Sequence, residues 1–139
     1  MGTAASEQNA SLPVEWLGAP LTGKSLLIVE DEPLIAFGVE SCLLDAGAEL
    51  VKTVNSIAAA ESALDQGIPF DAAIVDLILA DENAFPLVQI LSERGIPVVI
   101  STGADIDLGH PALGKAVAFL QKPYDESELI EALVEWAAN

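Results

Sequence analysis

Short apolar runs alternate with longer amphipathic segments along this chain. The apolar runs lie near residues 25–30, 49–54, 71–76, 97–102 and 116–121. Runs of this length, bounded by polar residues, are typical of buried parallel strands. The amphipathic segments predict helices from Pro33 to about Ala46, from Ser56 to about Gln66, from about Asn83 to Arg94 and from about Glu126 to Ala138.

The order of these elements predicts an α/β domain, because strands that alternate with helices form a parallel sheet with helices on both faces. Pro33 stands at a first-turn position, and Gly47, Gly67 and Gly95 follow the first three helices as C-terminal caps. Residues 103–111, after the fourth strand, are rich in glycine, aspartate and proline. The helix between the fourth and fifth strands, which is the fourth in chain order, is therefore expected to be short or irregular. We therefore predict a (βα)5 doubly wound sheet of five parallel strands.

The N-terminal residues have a different composition, with small and polar side chains ahead of Trp16 and Leu17. We predict a flexible N-terminal extension over residues 1–22 and one folded domain over residues 23–139. Two interpretations of the extension stay open. It is a disordered leader, or its Trp16 and Leu17 dock on the body or on a partner.

Composition narrows the possible partners. The chain has 139 residues, of which 52% are hydrophobic, enough for one core. Five basic against 22 acidic residues give a net charge of −17, which repels nucleic acids and anionic membranes alike. No apolar run reaches about 18 residues and no signal peptide is evident, so we expect a cytoplasmic protein without nucleic-acid or membrane contacts. The lone cysteine, Cys42, is expected to be an ordinary core thiol on a helix.

Charged residues follow three of the predicted strands directly. Glu30 and Asp31 follow the first strand, Asp76 ends the third, and Lys122 follows the fifth. Open parallel sheets gather their ligand site beyond the carboxyl ends of their strands. Three carboxylates and one ammonium are therefore expected to meet in one crevice.

This set of residues suits phosphoryl chemistry. Carboxylates hold Mg²⁺, which prefers oxygen ligands and is commonly bound by one or two carboxylates together with a phosphate. Asp76 is then available as a nucleophile that forms an acyl phosphate. Lys122 supplies a mobile positive charge, and Thr102 a hydroxyl donor to a phosphoryl oxygen. The residues predict reversible phosphorylation of Asp76.

With these motifs in order, the chain from about Lys24 to Ala138 resembles a response-regulator receiver domain of two-component signalling. The motifs are Ile28-Val29-Glu30-Asp31-Glu32, Ile74-Val75-Asp76-Leu77, Ile100-Ser101-Thr102-Gly103 and Phe119-Leu120-Gln121-Lys122-Pro123. The resemblance implies a flavodoxin-like sheet with strand order 2-1-3-4-5. It also implies Mg²⁺ as cofactor and a cis peptide bond at Pro123.

The resemblance assigns further roles at the site. It implies that Asp31 binds the metal directly, that Glu30 acts through water, and that the backbone carbonyl of Ile78 completes the ligand set with Asp76. On phosphorylation, the Thr102 hydroxyl is expected to move toward the phosphoryl group and Phe119 to follow it. The loop 77–84 departs from the family pattern, because it lacks the proline and glycine common there.

Part of the chain is also similar to a subgroup of stand-alone receivers from alphaproteobacteria with a Phe-Ala-Thr-Gly motif. Ile100 and Ser101 stand in place of its first two residues. The expected function is that of a single-domain response regulator, phosphorylated by a histidine kinase or a histidine phosphotransfer protein. It would signal to an unknown downstream protein or serve as a phosphate sink, and would not be an enzyme beyond its own dephosphorylation.

Two other functions remain open from the sequence. One is a pseudo-receiver that binds partners without being phosphorylated, because the loop after Asp76 departs from the family pattern. The other is an aspartyl phosphatase or phosphotransferase. That class needs a second acid two residues after the nucleophile, where this chain has Ile78.

Overall fold

A five-stranded parallel sheet forms the centre of the protein in this computed structural model, which describes residues 19–80, 82–103, 116 and 118–138. Its strands are β1 (Ser25–Val29), β2 (Leu50–Val54), β3 (Ala72–Val75), β6 (Val98–Thr102) and β7 (Ala118–Gln121). They lie in the order β2-β1-β3-β6-β7. Counted within this sheet alone, the order is 2-1-3-4-5, so the flavodoxin-like fold that the resemblance implies is confirmed.

Within the described residues, four helices cover the two faces of the sheet: α1 (Pro33–Asp45), α2 (Ile57–Asp65), α3 (Phe85–Glu93) and α4 (Glu126–Ala138). The four helices predicted from the amphipathic segments are all present, with boundaries that differ by at most two residues. Gly47, Gly67 and Gly95 have positive φ angles after α1, α2 and α3, as their predicted capping role requires. Within the described part of the chain, no helix is long and apolar enough to cross a bilayer.

The alternation of side chains along the strands divides the core into two layers. On β1, Leu26 and Ile28 pack with α1 and α4, whereas Leu27 and Val29 pack with α2 and α3. All four side chains are buried, because a parallel sheet between two helical layers has no solvent-facing side. The near-continuous apolar runs of the sequence are a direct consequence of this arrangement.

A small hairpin between β3 and α3 was not predicted. Its strands, β4 (Ile78–Leu79) and β5 (Glu82–Asn83), pair antiparallel, and Ala80 between them has a left-handed φ of 53°. Asn83 therefore belongs to the hairpin, and its side-chain Oδ1 accepts a hydrogen bond of 2.8 Å from the Phe85 amide. For that reason α3 begins at Phe85, whereas the sequence pattern indicated a start at about Asn83.

Part of the expected N-terminal extension packs against the domain. Leu21 is fully buried, and its amide donates to the Ala46 carbonyl just after α1 at 2.9 Å. Residues 19–22 thus belong to the folded body, which differs from the predicted boundary at residue 22. Residues 1–18 lie outside the described residues. The short or irregular helix expected between the last two strands of the sheet, after Gly103, also lies outside them.

Two capping glycines allow the packing of residues 19–22 to be measured. Gly47 and Gly67 both have positive φ, at 100° and 82°, but only a Cβ on Gly47 would come within 2.7 Å of the Ala19 Cβ. Gly67→Ala should cost about 1 kcal/mol from backbone strain, and Gly47→Ala about 2–3 kcal/mol because a steric clash is added. Urea unfolding of both variants gives the difference, and equal losses would contradict the packing of Ala19 on Gly47.

Candidate functional site

Neighbouring strands place the acidic side chains at one edge of the sheet. Val29 and Val75 are register partners at the ends of β1 and β3, so Glu30 and Asp76 follow them side by side. The Asp76 amide still donates to the Val29 carbonyl at 3.0 Å, which extends the ladder to the site. Carboxylate oxygens of Glu30, Asp31 and Asp76 lie within 4.8 Å of one another.

Lys122 directly follows the edge strand β7, and its side chain reaches the carboxylate cluster at the ends of β1 and β3. Its amide donates to the Thr102 carbonyl at 3.0 Å, which fixes the backbone just beyond β7. The Nζ atom then donates to Glu30 Oε1 at 2.7 Å and to Asp76 Oδ2 at 3.0 Å. The Lys122 and Asp76 side chains are only 15% and 9% exposed, so water screens this ion pair weakly. The predicted crevice of three carboxylates and one ammonium is thus present.

Backbone amides hold each of the three carboxylates in place. The pairs are Glu32 N to Glu30 Oε2 at 3.1 Å, Ile78 N to Asp76 Oδ1 at 3.1 Å, and Ala80 N to Asp31 Oδ2 at 2.6 Å. An amide hydrogen bond to a carboxylate favours the ionised form and fixes its orientation. The third pair comes from the hairpin, so that loop directly positions Asp31.

Burial and hydrogen bonding act in opposite directions on the two most enclosed charges. Burial raises the pKa of Glu30, and this outweighs the lowering by its hydrogen bonds to Lys122 and the Glu32 amide. Burial alone would lower the pKa of Lys122, but its hydrogen bonds to Glu30 and Asp76 bring it above the ordinary value. Lys122 is therefore cationic throughout the neutral range.

The donor atoms of the crevice fit a hard divalent cation. Glu30, Asp31 and Asp76 offer only oxygen, which is the ligand type that Mg²⁺ prefers. When all three carboxylates are ionised, the single Lys122 ammonium leaves two negative charges without compensation, and a bound cation would neutralise them. Asp31 is half-buried, so this carboxylate stays accessible from solvent.

The remaining predicted site residues are buried to different degrees. Thr102 is the last residue of β6 and is 5% exposed, next to the backbone of Lys122. The Phe119 side chain on β7 is exposed, and Ile78 in the hairpin is 40% exposed. The peptide bond between Lys122 and Pro123 is cis.

Two contacts at the site escaped the sequence analysis. The Ala80 amide on Asp31 carried no signal, because any residue type can supply a backbone amide. The second contact joins Ser101 Oγ to the Tyr124 hydroxyl at 3.3 Å and links the end of β6 to the segment after Lys122. Burial raises the pKa of Tyr124, so its hydroxyl is neutral at physiological pH. Ser101 and Tyr124 are each adjacent in sequence to a predicted site residue, but no sequence pattern predicts the hydrogen bond between them.

Cys42 lies in the core and outside the crevice. Its side chain is buried on the inner side of α1, the helix to which it belongs. Burial, with smaller contributions from Glu126 and Asp45, raises the pKa of the thiol to about 12. A thiol with this pKa is almost entirely protonated at neutral pH and reacts slowly. The expected role as an ordinary core thiol is confirmed by its burial.

A double-mutant cycle on Glu30 and Lys122 tests the ion pair. We expect Lys122→Met to destabilise the fold by about 2–4 kcal/mol, because it leaves buried carboxylates without a partner. The raised pKa of Glu30 means that its ionisation costs the folded state free energy, so Glu30→Gln should be more stabilising in the Lys122→Met background than in the original chain, where the ammonium offsets part of that cost. Because the Lys122 pKa is raised, its contribution should persist at neutral pH and be lost only as the pH rises through that raised pKa.

The measurement is urea unfolding of the four proteins in metal-free buffer. Additive effects of the two substitutions would contradict a direct interaction between these side chains.

The family of the chain is shown by its similarity to known proteins. Residues 26–134 match the response regulator receiver domain family. The chain is similar to the two-component response regulator ARR18 of Arabidopsis thaliana, with 30% identity over 109 residues, which are 77% of this chain and 17% of that protein. It therefore spans less than a fifth of this curated relative.

Solved structures agree with this assignment. A CheY-like receiver domain from Methylobacillus flagellatus has a TM-score of 0.71 and 29% identity, over 81% of this chain and 97% of that one. SdrG from Sphingomonas melonis Fr1 has a TM-score of 0.67 and 36% identity, over 82% and 94% of the two chains. The chain thus belongs to the response regulator receiver domains of two-component signalling.

Proposed function

We propose that this receiver accepts a phosphoryl group on Asp76 from a histidine kinase or a histidine phosphotransfer protein, in a reaction that depends on Mg²⁺. The observation that carries the proposal is the position of the Lys122 ammonium, within hydrogen-bonding distance of both Glu30 and Asp76 beside the three-carboxylate cluster. The carboxylate that we propose as phosphoacceptor, the Lys122 ammonium and the carboxylate oxygens that we propose as Mg²⁺ ligands lie within one crevice.

The side chains divide the work of the transfer among them. A carboxylate oxygen of Asp76 would attack the phosphorus, forming the P–O bond as the P–N bond to the donor imidazole breaks. The electron pair leaves with the imidazole, which takes up a proton. The Ile78 amide holds Asp76 Oδ1 at 3.1 Å and so fixes the orientation of the attacking carboxylate. Lys122 would stabilise negative charge on the phosphoryl oxygens.

Asp31 and Asp76 would hold Mg²⁺, with Glu30 acting through water and the Ile78 carbonyl as a further ligand. The cation supplies positive charge next to the phosphoryl oxygens during transfer. We expect Thr102 to donate its hydroxyl to a phosphoryl oxygen once the acyl phosphate has formed. Phe119 is the candidate to follow Thr102 inward.

The wider role is also part of the proposal. We expect a cytoplasmic protein that acts through protein–protein contacts or as a phosphate sink, with no catalysis beyond hydrolysis of its own acyl phosphate. The net charge of −17 supports a protein partner over nucleic acid or a membrane surface. If Asp76 cannot be phosphorylated, the alternative is a pseudo-receiver that serves as a protein-binding module.

Incubation with acetyl phosphate and Mg²⁺ tests the phosphoacceptor. Intact mass should increase by one phosphoryl group only when the cation is present, and beryllofluoride should shift the amide resonances of Asp76 and Thr102. Asp76→Asn should give neither change, because it lacks the nucleophilic oxygen. Asp31→Asn keeps the nucleophile but should need at least about tenfold more Mg²⁺, since a charged ligand is lost.

Acetyl phosphate differs from a protein donor, so a phosphorylated histidine phosphotransfer protein is the second donor to use. Failure with both donors would overturn the proposal and favour the pseudo-receiver. An adduct that persists in Asp76→Asn would place the modification on another residue.

Thr102 offers a test of how the phosphoryl group is held. Thr102→Ala should weaken the beryllofluoride complex about 10- to 150-fold, because one hydrogen bond to a charged group contributes about 1.5–3 kcal/mol. Thr102→Ser keeps the hydroxyl and should retain most of the affinity. Equal affinity in the two variants, measured by titration under NMR observation, would exclude the hydroxyl from this role.

A further inference from the structure

Helix α1 is apolar on a face that the described part of the fold leaves uncovered. Its inner residues, among them Val39 and Leu43, are buried against the sheet. On the outer side, however, Leu34 is 87% exposed, Phe37 68% and Leu44 47%. A helix that is hydrophobic on nearly all sides is normally enclosed, so this outer face calls for a covering segment.

An apolar groove lies beside this face, between α1 and the beginning of α4. Its volume is about 540 Å³. The lining includes Leu34, Ile35 and Gly38 from α1, Leu129 from α4, and Pro123 and Tyr124 from the segment between β7 and α4. The groove therefore runs from the α1–α4 packing toward the segment that carries Lys122.

The N-terminal part of the described chain starts at the other end of these two helices. Ala19 lies against Gly47, which follows α1. Lys24 places its Nζ 5.4 Å from the centre of the Trp136 ring near the end of α4. Residues 19–24 thus lie where α1 and α4 both end, so the preceding residues begin close to the furrow between these helices.

The residues before Ala19 are long enough to follow the furrow. Leu34 and Ala46 are 12 positions apart, which is about 18 Å along a helix. The seven residues 12–18 span up to about 23 Å when extended. The segment can therefore reach from the end of α1 to Leu34 without a further turn.

The composition of this segment matches the groove. Leu12, Val14, Trp16 and Leu17 are apolar, and Glu15 is the one charged side chain within residues 8–18. We propose that residues 12–17 dock intramolecularly into the groove between α1 and α4 and cover Leu34, which is exposed and belongs to the groove lining. A second copy is a poorer occupant, because each chain carries a net charge of −17 and two copies repel one another.

Fluorescence of Trp16 tests the docking. The chain has two tryptophans, so Trp136→Phe leaves Trp16 as the sole indole. A docked indole should emit at shorter wavelength, and its acrylamide quenching constant should be about half that in a peptide of residues 8–18, since a large part of its surface is covered. Leu34→Ser in this background should restore the quenching of the free peptide, because Leu34 lines the groove.

Matched controls keep the outcomes distinct. Leu50→Ser removes another exposed apolar side chain, at the β2 edge of the sheet, and should leave Trp16 unchanged. Circular dichroism of each variant establishes that the fold persists, which is expected because Leu34 and Leu50 are exposed. The docking is supported if only the groove variant releases Trp16 and the signal is independent of protein concentration.

Three results would overturn the proposal. Trp16 could be quenched like the free peptide in the parent protein, or remain protected in Leu34→Ser. Protection that grows with protein concentration would instead assign the groove to a second copy. None of these results depends on phosphorylation of Asp76, so they bear on the docking alone.

Discussion

The buried contact of the Lys122 ammonium with Glu30 and Asp76 is the interaction on which the site depends. It joins residues that follow β1, β3 and β7, and the sheet order places β6 between the last two of these strands. The lysine side chain must therefore cross the end of β6, where Thr102 lies, to reach the carboxylates. Burial is the largest cost of ionising Glu30, and the ammonium offsets part of that cost through its hydrogen bond. The strand order thus determines which charged residues can meet, and the ion pair joins three strands of the sheet.

The sequence predicted the sheet and the helices well because each rests on a local pattern. Four-residue apolar runs such as Leu26–Val29 indicate strands buried on both faces, and a glycine such as Gly47 marks the end of a helix. The crevice residues could be found for a related reason, since charges directly after buried strands meet at one edge. The roles of those residues, and the strand order, came from the family resemblance and not from the pattern.

The elements that were missed depend on contacts between distant parts of the chain. The β4–β5 hairpin has two residues in each strand, too few for a period-two pattern, and its Ala80 amide meets Asp31 across 49 positions. Left-handed alanine is disfavoured by about 1 kcal/mol, so nothing local to Ala80 predicts its conformation. The hydrogen bond to a carboxylate compensates part of that cost. The packing of Leu21 beneath Ala46 is likewise visible only once α1 is placed.

The segment from Lys122 to Tyr124 belongs to both the crevice and the groove. Lys122 reaches the carboxylates, Pro123 and Tyr124 line the groove, and the Tyr124 hydroxyl accepts from Ser101 next to Thr102. These three residues are consecutive and are held to the end of β6 at two points, so the crevice and the groove wall share one short stretch of backbone. Lys122 itself also lines the groove, so an occupant there would lie beside the residue that contacts Asp76. If occupancy of the groove changes the affinity of the crevice for a ligand, that ligand must change the affinity of the groove for its occupant by the same factor.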